Sequence, residues 1–393
     1  MNAATLTFAR SNARTRRFVF DQTLMMIVAA IVILGLIMVT SASISIAERQ
    51  MHEPLHFLER QSVGVVLGLI AASFMMFIPT SVWERLAMPL LLFAFVMLVI
   101  VLIPGLGHEV NGSRRWLRAG IMNFQASELA RVLLLTYLAS YVVRRQQELK
   151  NELKGFVKPL GVLMAAAALL LIEPDFGAAT VLVATGLGVL FLAGVKLRHF
   201  LALVTLASAG MAVIAVTSAY RLKRLTAFLD PFADPFNSGF QLTQSLIAIG
   251  RGELFGVGLG SSVQKLFYLP EAHTDFVFAI LAEELGLVGV LFTLTLFILL
   301  VWRSFKISRL AADAGLAFQA YCAAGFGIWL ALQTFINIGV NLGLLPTKGL
   351  TLPLMSFGGS SVLVTLGWIG LIMRINHEAQ VSGRLAVRRE REE

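Results

Sequence analysis

TDFVFAILAEELGLVGVLFTLTLFILLVW, residues 274 to 302, carries three charges, all acidic and all within its first eleven positions. From Leu285 to Trp302 the run is uncharged. An apolar helix of about twenty residues matches the ~30 Å hydrocarbon core of a bilayer, so this stretch reads as a membrane span. Carboxylates in hydrocarbon cost several kcal/mol or more unless they are paired or hydrated. Asp275, Glu283 and Glu284 therefore each require an explanation.

The rest of the chain agrees with a membrane reading. Of 393 residues, 57% are hydrophobic and 14% charged, against about 25% charged in an ordinary soluble domain. Apolar runs that can cross a bilayer lie at about 20–43, 61–79, 84–103, 127–143, 157–173, 177–195, 199–219, 274–302, 316–340 and 351–374. The expected fold is an all-α, polytopic integral membrane protein of about ten transmembrane helices. It is one domain, residues 1–393, with a bundle over 20–374 and tails at 1–19 and 375–393. The basic segment before the first span resembles a signal peptide, but that span is longer than a typical signal core and is read as retained. The single cysteine, Cys322, excludes an intramolecular disulfide.

Net charge is +9, and its placement gives orientation. Arg10, Arg14, Arg16 and Arg17, then Arg144, Arg145, Lys150, Lys154 and Lys158, then Lys196 and Arg198, then Arg303, Lys306 and Arg309, then Arg374 to Arg391 all fall on one side. By the positive-inside rule that side is the cytoplasm, with both termini on it. The basic charge thus follows topology and attraction to anionic membrane lipid; no motif supports nucleic-acid binding. The long loops fall outside. Residues 104–126 place Arg114, Arg115 and Arg118 on the face poor in positive charge. Residues 220–273 include FQLTQSLIAIG, whose Leu242, Leu246 and Ile249 form one apolar face. That pattern predicts an amphipathic helix lying in the membrane interface.

Several motifs have both a structural and a functional reading. HEPLH, residues 52–56, matches the H-E-x-x-H zinc pattern, but Pro54 breaks the continuous helix that the pattern requires. GVGLGSS, residues 256–262, fits neither nucleotide motif and reads as a turn. Glu128 and Arg131 share a helix face at i, i+3; they form either a self-neutralising pair or the wall of a polar cavity. EPDFG, residues 173–177, reads as a tight outer turn. Lys348 stands at the outer edge of the last span, where it can snorkel or meet an anion. Gly358, Gly359, Ser360 and Ser361 suit close helix approach or a cavity lining. Glu283 and Glu284 point to different sides of their helix from Asp275; for at least one the expectation is hydrogen bonding between helices. Asp275, beside His273 and Glu271, is interfacial. It reads equally as a helix N-cap or as a water-accessible acid.

A resemblance separates the last two. GELFGVGLGSSVQKLFYLPEAHTDFVFAILAEELG (252–286), NGSRRWL (111–117), QASELAR (125–131), EPDFG and LPLMSFGGSS (352–361) resemble, in order, the motifs of the SEDS family of shape, elongation, division and sporulation proteins. The wording is closer to the division branch than to the elongation branch. The departures are Ala126 in place of a proline, Arg131 in place of a frequent lysine, and Phe267 where some relatives carry an acid.

The resemblance implies a peptidoglycan glycosyltransferase that polymerises lipid II at the outer face of the bacterial cytoplasmic membrane, at the division septum. It implies that Asp275 is the catalytic acid, read here as general base. Arg114, Arg115, Arg118, Glu128, Arg131, His273, Lys348, Ser360 and Ser361 are the expected substrate-binding residues. A divalent cation, magnesium or manganese, is compatible with this chemistry, though no metal-ligand set is legible. The expected partners are a class B penicillin-binding protein and other division proteins. The rival readings are a lipid II flippase without catalysis, an intramembrane metalloprotease and a recruiting scaffold.

Overall fold

The computed structural model describes residues 18–110, 113–119, 122–216, 228–237, 239–347 and 349–390. The chain begins with α1 (Gln22–Met51), whose N-cap Asp21 accepts a hydrogen bond from the Leu24 amide at 3.1 Å. It continues through α2 (His56–Phe77), α3 (Thr80–Arg85) and α4 (Ala87–Leu102). A three-stranded antiparallel sheet follows: β1 (Gly107–Val110), β2 (Ser113–Ala119) and β3 (Met122–Gln125), in the order β1-β2-β3. Then come α5 (Ala126–Arg144), α6 (Gln146–Asn151), α7 (Leu153–Ile172), α8 (Phe176–Leu192) and α9 (Leu197–Val216). The last elements are α10 (Phe240–Gly252), α11 (Val277–Asp313), α12 (Ala317–Asn341) and α13 (Gly359–Glu390).

Every predicted span has a helix over it. Seven described helices are long and apolar enough to cross a membrane; α4 and α8 are shorter apolar helices. The small sheet occupies part of the segment expected to be loop. Its pairs place Trp116 opposite both His108 and Gln125. Two further features add to the sequence reading. α13 runs on to Glu390, so the described part of 375–393 continues the last helix. In α10, the polar Thr243 and Ser245 are buried together with Leu242 and Ala248. Ser245 donates to the Asn341 carbonyl at 2.8 Å. This helix therefore packs on the bundle through a mixed face, because α12 supplies a partner for its hydroxyl.

Burial separates centre from rim. In α5, 89% of the most apolar window is buried; in α2 it is 17%. A central helix has no lipid-facing side, so it can carry polar residues where partners exist. α5 accordingly buries Glu128, Arg131, Thr136 and Ser140. Where α2 and α13 cross, Gly64 faces Gly359: a Cβ at Gly64 would stand 2.9 Å from the Gly359 Cα. Small residues let backbones approach this closely.

The two ends of the bundle differ. One end gathers Thr80, Gln319, Arg374 and Glu378, with Gln319 Nε2 donating to Thr80 Oγ1 at 2.8 Å and Arg374 Nε donating to Glu378 at 2.7 Å. Arg303 pairs with Asp21 at 2.7 Å, and Phe18 stacks on His377, so residues near both described ends of the chain meet there. The other end, expected from the sequence to be the outer one, carries the sheet, the EPDFG turn and the loop before α11.

Candidate functional site

Asp275 ends the outer loop, two residues before α11. The N-cap of that helix is Phe276, with no side-chain cap bond, so Asp275 is not its N-cap. The backbone at Asp275 is held from α12: Asn337 Nδ2 and Asn341 Nδ2 each donate to the Asp275 carbonyl at 3.0 Å. Asn341 Oδ1 also accepts from the Ala279 amide at 3.1 Å. One buried asparagine thus grips both sides of the helix entry. Asn337 reaches the Leu350 carbonyl at 2.6 Å as well, which ties the 349–352 segment to the same point. There Gly349 lies so close that a Cβ would stand 3.2 Å from Asp275 Oδ2. The Asp275 side chain is half-buried.

His273 sits beside the start of α13. Its carbonyl accepts from the Phe357 amide at 2.9 Å, and its ring packs between Phe57 and Phe357, with centroids 4.4 and 5.5 Å away. Burial pushes the imidazole below the usual histidine range, against an opposing pull from Glu271. Its Nδ1 is buried without a partner among the described residues. Gln61 of α2 clamps the same turn: Nε2 donates to the Ser356 carbonyl at 3.0 Å and Oε1 accepts from the Gly358 amide at 3.1 Å. Ser360 and Ser361, in the first turn of α13, are buried with hydroxyls that have no partner among the described residues. They lie next to the segment bonded to His273, as a cavity lining would.

Glu128 and Arg131 form a buried pair, 2.8 Å apart. Arg131 also donates to Gln333 Oε1 and lies 5.0 Å from the Trp329 ring centroid. Gln333 in turn donates to the Thr351 carbonyl at 3.0 Å. Gln333, Asn337 and Asn341 therefore form one stripe on α12, at i, i+4 and i+8. The stripe links the α5 pair to the segment next to Asp275. Arg131's charge is paired with Glu128 within α5, and its bond to Gln333 links α5 to α12.

The hairpin arginines diverge. Arg115 donates to the backbone carbonyls of Glu173 and Pro174, at 3.1 and 2.6 Å. It joins the sheet to the EPDFG turn, and Gly177 of that turn packs against Leu350. Arg114 pairs with Glu109 at 3.0 Å, and Arg118 lies 3.4 Å from His108; both remain at the outer surface. Lys348 lies outside the described residues. Glu173, in the turn, is fully buried; burial first, then Asp175, raises its pKa to about 8 against the pull of Arg115. His52 ends α1 in a left-handed conformation while His56 opens α2, so the two imidazoles of HEPLH sit on different helices.

Glu283 and Glu284 are fully buried and heavily bonded. Glu283 pairs with Arg251 at 3.1 Å and accepts from the Ser262 hydroxyl and the Val263 amide. Glu284 pairs with Lys265 at 2.8 Å and accepts from Ser41 of α1 at 2.7 Å. The helix also breaks here, at Gly286 (φ 63°, ψ −163°). The outer loop fills the break. Val257 and Gly258 amides donate to the Glu283 and Glu284 carbonyls, and Leu287 and Val288 amides donate to the Glu253 and Leu254 carbonyls. Backbone groups freed within a membrane must find such partners. Only glycine fits position 286, where a Cβ would stand 2.3 Å from the Gly256 nitrogen.

A profile of the FtsW/RodA/SpoVE family of cell cycle proteins matches residues 21–381. The chain belongs to this family. Among similar proteins, the probable peptidoglycan glycosyltransferase FtsW of Thioalkalivibrio sulfidiphilus is 57% identical over 94% of this chain and 92% of its own length. The probable peptidoglycan glycosyltransferase FtsW of Legionella pneumophila is 50% identical over 91% of each chain. Among solved structures, a chain from a study of how a peptidoglycan synthase complex coordinates polymerization and crosslinking superposes with a TM-score of 0.76. It is 32% identical and covers 92% of this chain and 99% of its own. The rod shape determining protein RodA of Thermus thermophilus gives 0.68 at 31% identity, over 91% and 97%. The higher identity to proteins named FtsW agrees with the motif wording.

Within this FtsW/RodA/SpoVE fold, the sequence reading overlooked Gln61, Gln333, Asn337 and Asn341. A signal existed. Three carboxamides at i, i+4 and i+8 in an otherwise apolar helix mark one polar face. Gln61 had no such pattern, because its partners are backbone groups nearly 300 residues away.

Proposed function

We infer that this peptidoglycan glycosyltransferase extends glycan strands from lipid II, with Asp275 as the general base. The acceptor sugar's 4-hydroxyl attacks the anomeric carbon of the lipid-linked donor. Asp275 takes the hydroxyl proton as the new glycosidic bond forms. Undecaprenyl pyrophosphate leaves with the electron pair of the broken C–O bond. A glycosidase needs a second carboxyl group to protonate its leaving alcohol; a pyrophosphate leaves as an anion and needs positive charge instead. Arg114, Arg118 and Lys348 are the proposed source of that charge. Arg115, Glu128 and Arg131 hold the sheet and α5 in place, and Ser360 and Ser361 donate to the substrate. The described residues gather no three His, Cys, Asp or Glu side chains at one point; magnesium or manganese carried by the pyrophosphate is compatible with this chemistry, since such ions are held by one or two carboxylates and substrate phosphates.

The observation that carries this reading is the pair of asparagine bonds fixing the Asp275 backbone, with its carboxylate beside Gly349. A base works only when held within hydrogen-bond reach of its proton. The polyprenyl tails would remain in lipid, which accounts for a sugar-transferring site at the membrane surface. Action at the outer face of the septum, and partnership with a class B penicillin-binding protein and other division proteins, belong to this proposal. The FtsW names of the relatives and the synthase-complex neighbour support it.

The test supplies labelled lipid II to the purified chain with its transpeptidase partner, and compares wild type with Asp275→Asn after both are shown folded. Polymer from wild type alone is the expected result. Equal polymer from both would move the base elsewhere. No polymer from either, with partner and substrate shown competent, would favour lipid transport.

A further inference from the structure

At the inner end, the last turns of α11 and α13 enclose an open cavity of about 590 Å³. Lys306, Arg309 and Arg384 line it, together with Asp313 and Asn376. None of the three cations forms an ion pair among the described residues, whereas Arg303, also on the wall, is already matched by Asp21 at 2.7 Å. The three cations are exposed on the cavity rim and Asp313 offsets part of their charge; the remaining positive excess around one concavity favours an anion. A second observation points the same way. Asn376 is fully buried in the cavity wall, and its Nδ2 donor has no partner among the described residues. Gln380 Nε2 donates to the Asn376 oxygen at 3.3 Å, which leaves the amide's NH₂ as the unused end. A buried donor without an acceptor costs roughly 1–3 kcal/mol.

The cavity's surroundings point to the source of the anion. Arg303 is the first charge after the apolar run Leu285–Trp302, about 24 Å along the unbroken helix from Leu287 at 1.5 Å per residue, near the end of a ~30 Å hydrocarbon core. Trp302 is half exposed there, with the Lys306 ammonium 5.0 Å from its ring centroid. An amphipathic ring beside a lysine is the usual furnishing of a membrane–water interface.

We propose that this cavity binds the phosphate of an anionic phospholipid headgroup in the inner leaflet. Lys306, Arg309 and Arg384 supply the charge, and Asn376 supplies a hydrogen bond to a phosphate oxygen. Basic pockets between membrane helices hold phosphate headgroups in this way. The site is separate from the outer-face chemistry, and its occupancy would tie α11 to α13.

The test is lipid retention by the full chain, read by native mass spectrometry after exchange into equal phosphatidylglycerol and phosphatidylcholine. Wild type should retain phosphatidylglycerol preferentially. Lys306→Gln/Arg309→Gln/Arg384→Gln should lower that preference about tenfold or more, at ~1 kcal/mol per lost charge. The control Lys154→Gln/Lys158→Gln/Lys196→Gln removes equal charge from exposed positions elsewhere on the inner face and should lower it far less. Equal losses in both variants would reduce the effect to diffuse surface charge and overturn the site. No preference in wild type would overturn it as well. A parallel arm adds inorganic phosphate to wild type in phosphatidylcholine alone. Thermal stabilisation that the pocket variant abolishes would assign the cavity to a soluble phosphate and overturn the lipid source.

Discussion

Asp275 and Glu284 are nine residues apart at the outer end of one helix, and they differ in what surrounds them. Glu284 is fully buried, with Lys265, Ser41 and the loop backbone around it. Asp275 is half-buried, with its backbone clamped and its carboxylate beside the outer segment at Gly349. The first arrangement spends the charge on holding loop to helix. The second holds the residue still through its backbone and leaves it partly exposed. Full burial against partial exposure, more than position along the sequence, separates the two acids, and under the proposed function only the second could meet a substrate.

The sharpest break of this contrast would be an Asp275→Asn protein that still polymerised. The expected loss is about 10²- to 10⁴-fold in rate, the usual contribution of a general base, with thermal unfolding unchanged. Lys265→Met should do the opposite. It strands Glu284 in the interior and should cost about 3–5 kcal/mol of stability, read as a lower unfolding temperature in detergent. Adding Glu284→Gln should restore much of it; no recovery would mean that the pair is not the fastening element.

A smaller effect tests the reachability of Asp275. Gly349→Ala brings a methyl group to 3.2 Å from its carboxylate oxygen. Turnover should fall by roughly three- to tenfold, since small misplacements at a reacting group are costly, with folding unaffected. An unchanged rate would place the substrate on the other side of Asp275.

The smallest effect extends the comparison to Glu173. Its folded pKa of about 8 lies above the ordinary value of 4.5. The folded state keeps a proton that the unfolded state releases, so this contribution is complete below pH 4.5 and is lost as pH rises through 8. Glu173→Gln carries no such proton. Its unfolding temperature should decline less than that of wild type between pH 5 and 9; equal slopes would show that Glu173 is ionised in the fold.

Much of the site could be read in the chain. Asp275, His273, the Glu128–Arg131 pair and the two buried acids drew notice because charge in an apolar run is costly wherever it occurs. Their roles were not legible. The sequence singled out Arg131 but not its partner Gln333 on α12. It gave α10 an apolar face but not the burial of Ser245, to which α12 presents the Asn341 carbonyl. The strands of 107–125 were missed because short pairings in a polar loop leave little periodicity.

By itself the sequence determined the membrane class, the approximate spans and the helix that follows Asp275. These depend on local hydropathy and on charge placement, which each segment states without its neighbours. Tertiary structure alone decided which acid is bonded to what, that Gln61 and Asn341 clamp the turns around His273 and Asp275, and that α11 breaks at Gly286 to admit the outer loop. Those are pairings between residues tens to hundreds of positions apart, and a hydrogen bond's partner is set by the packing that brings the two groups within 3 Å.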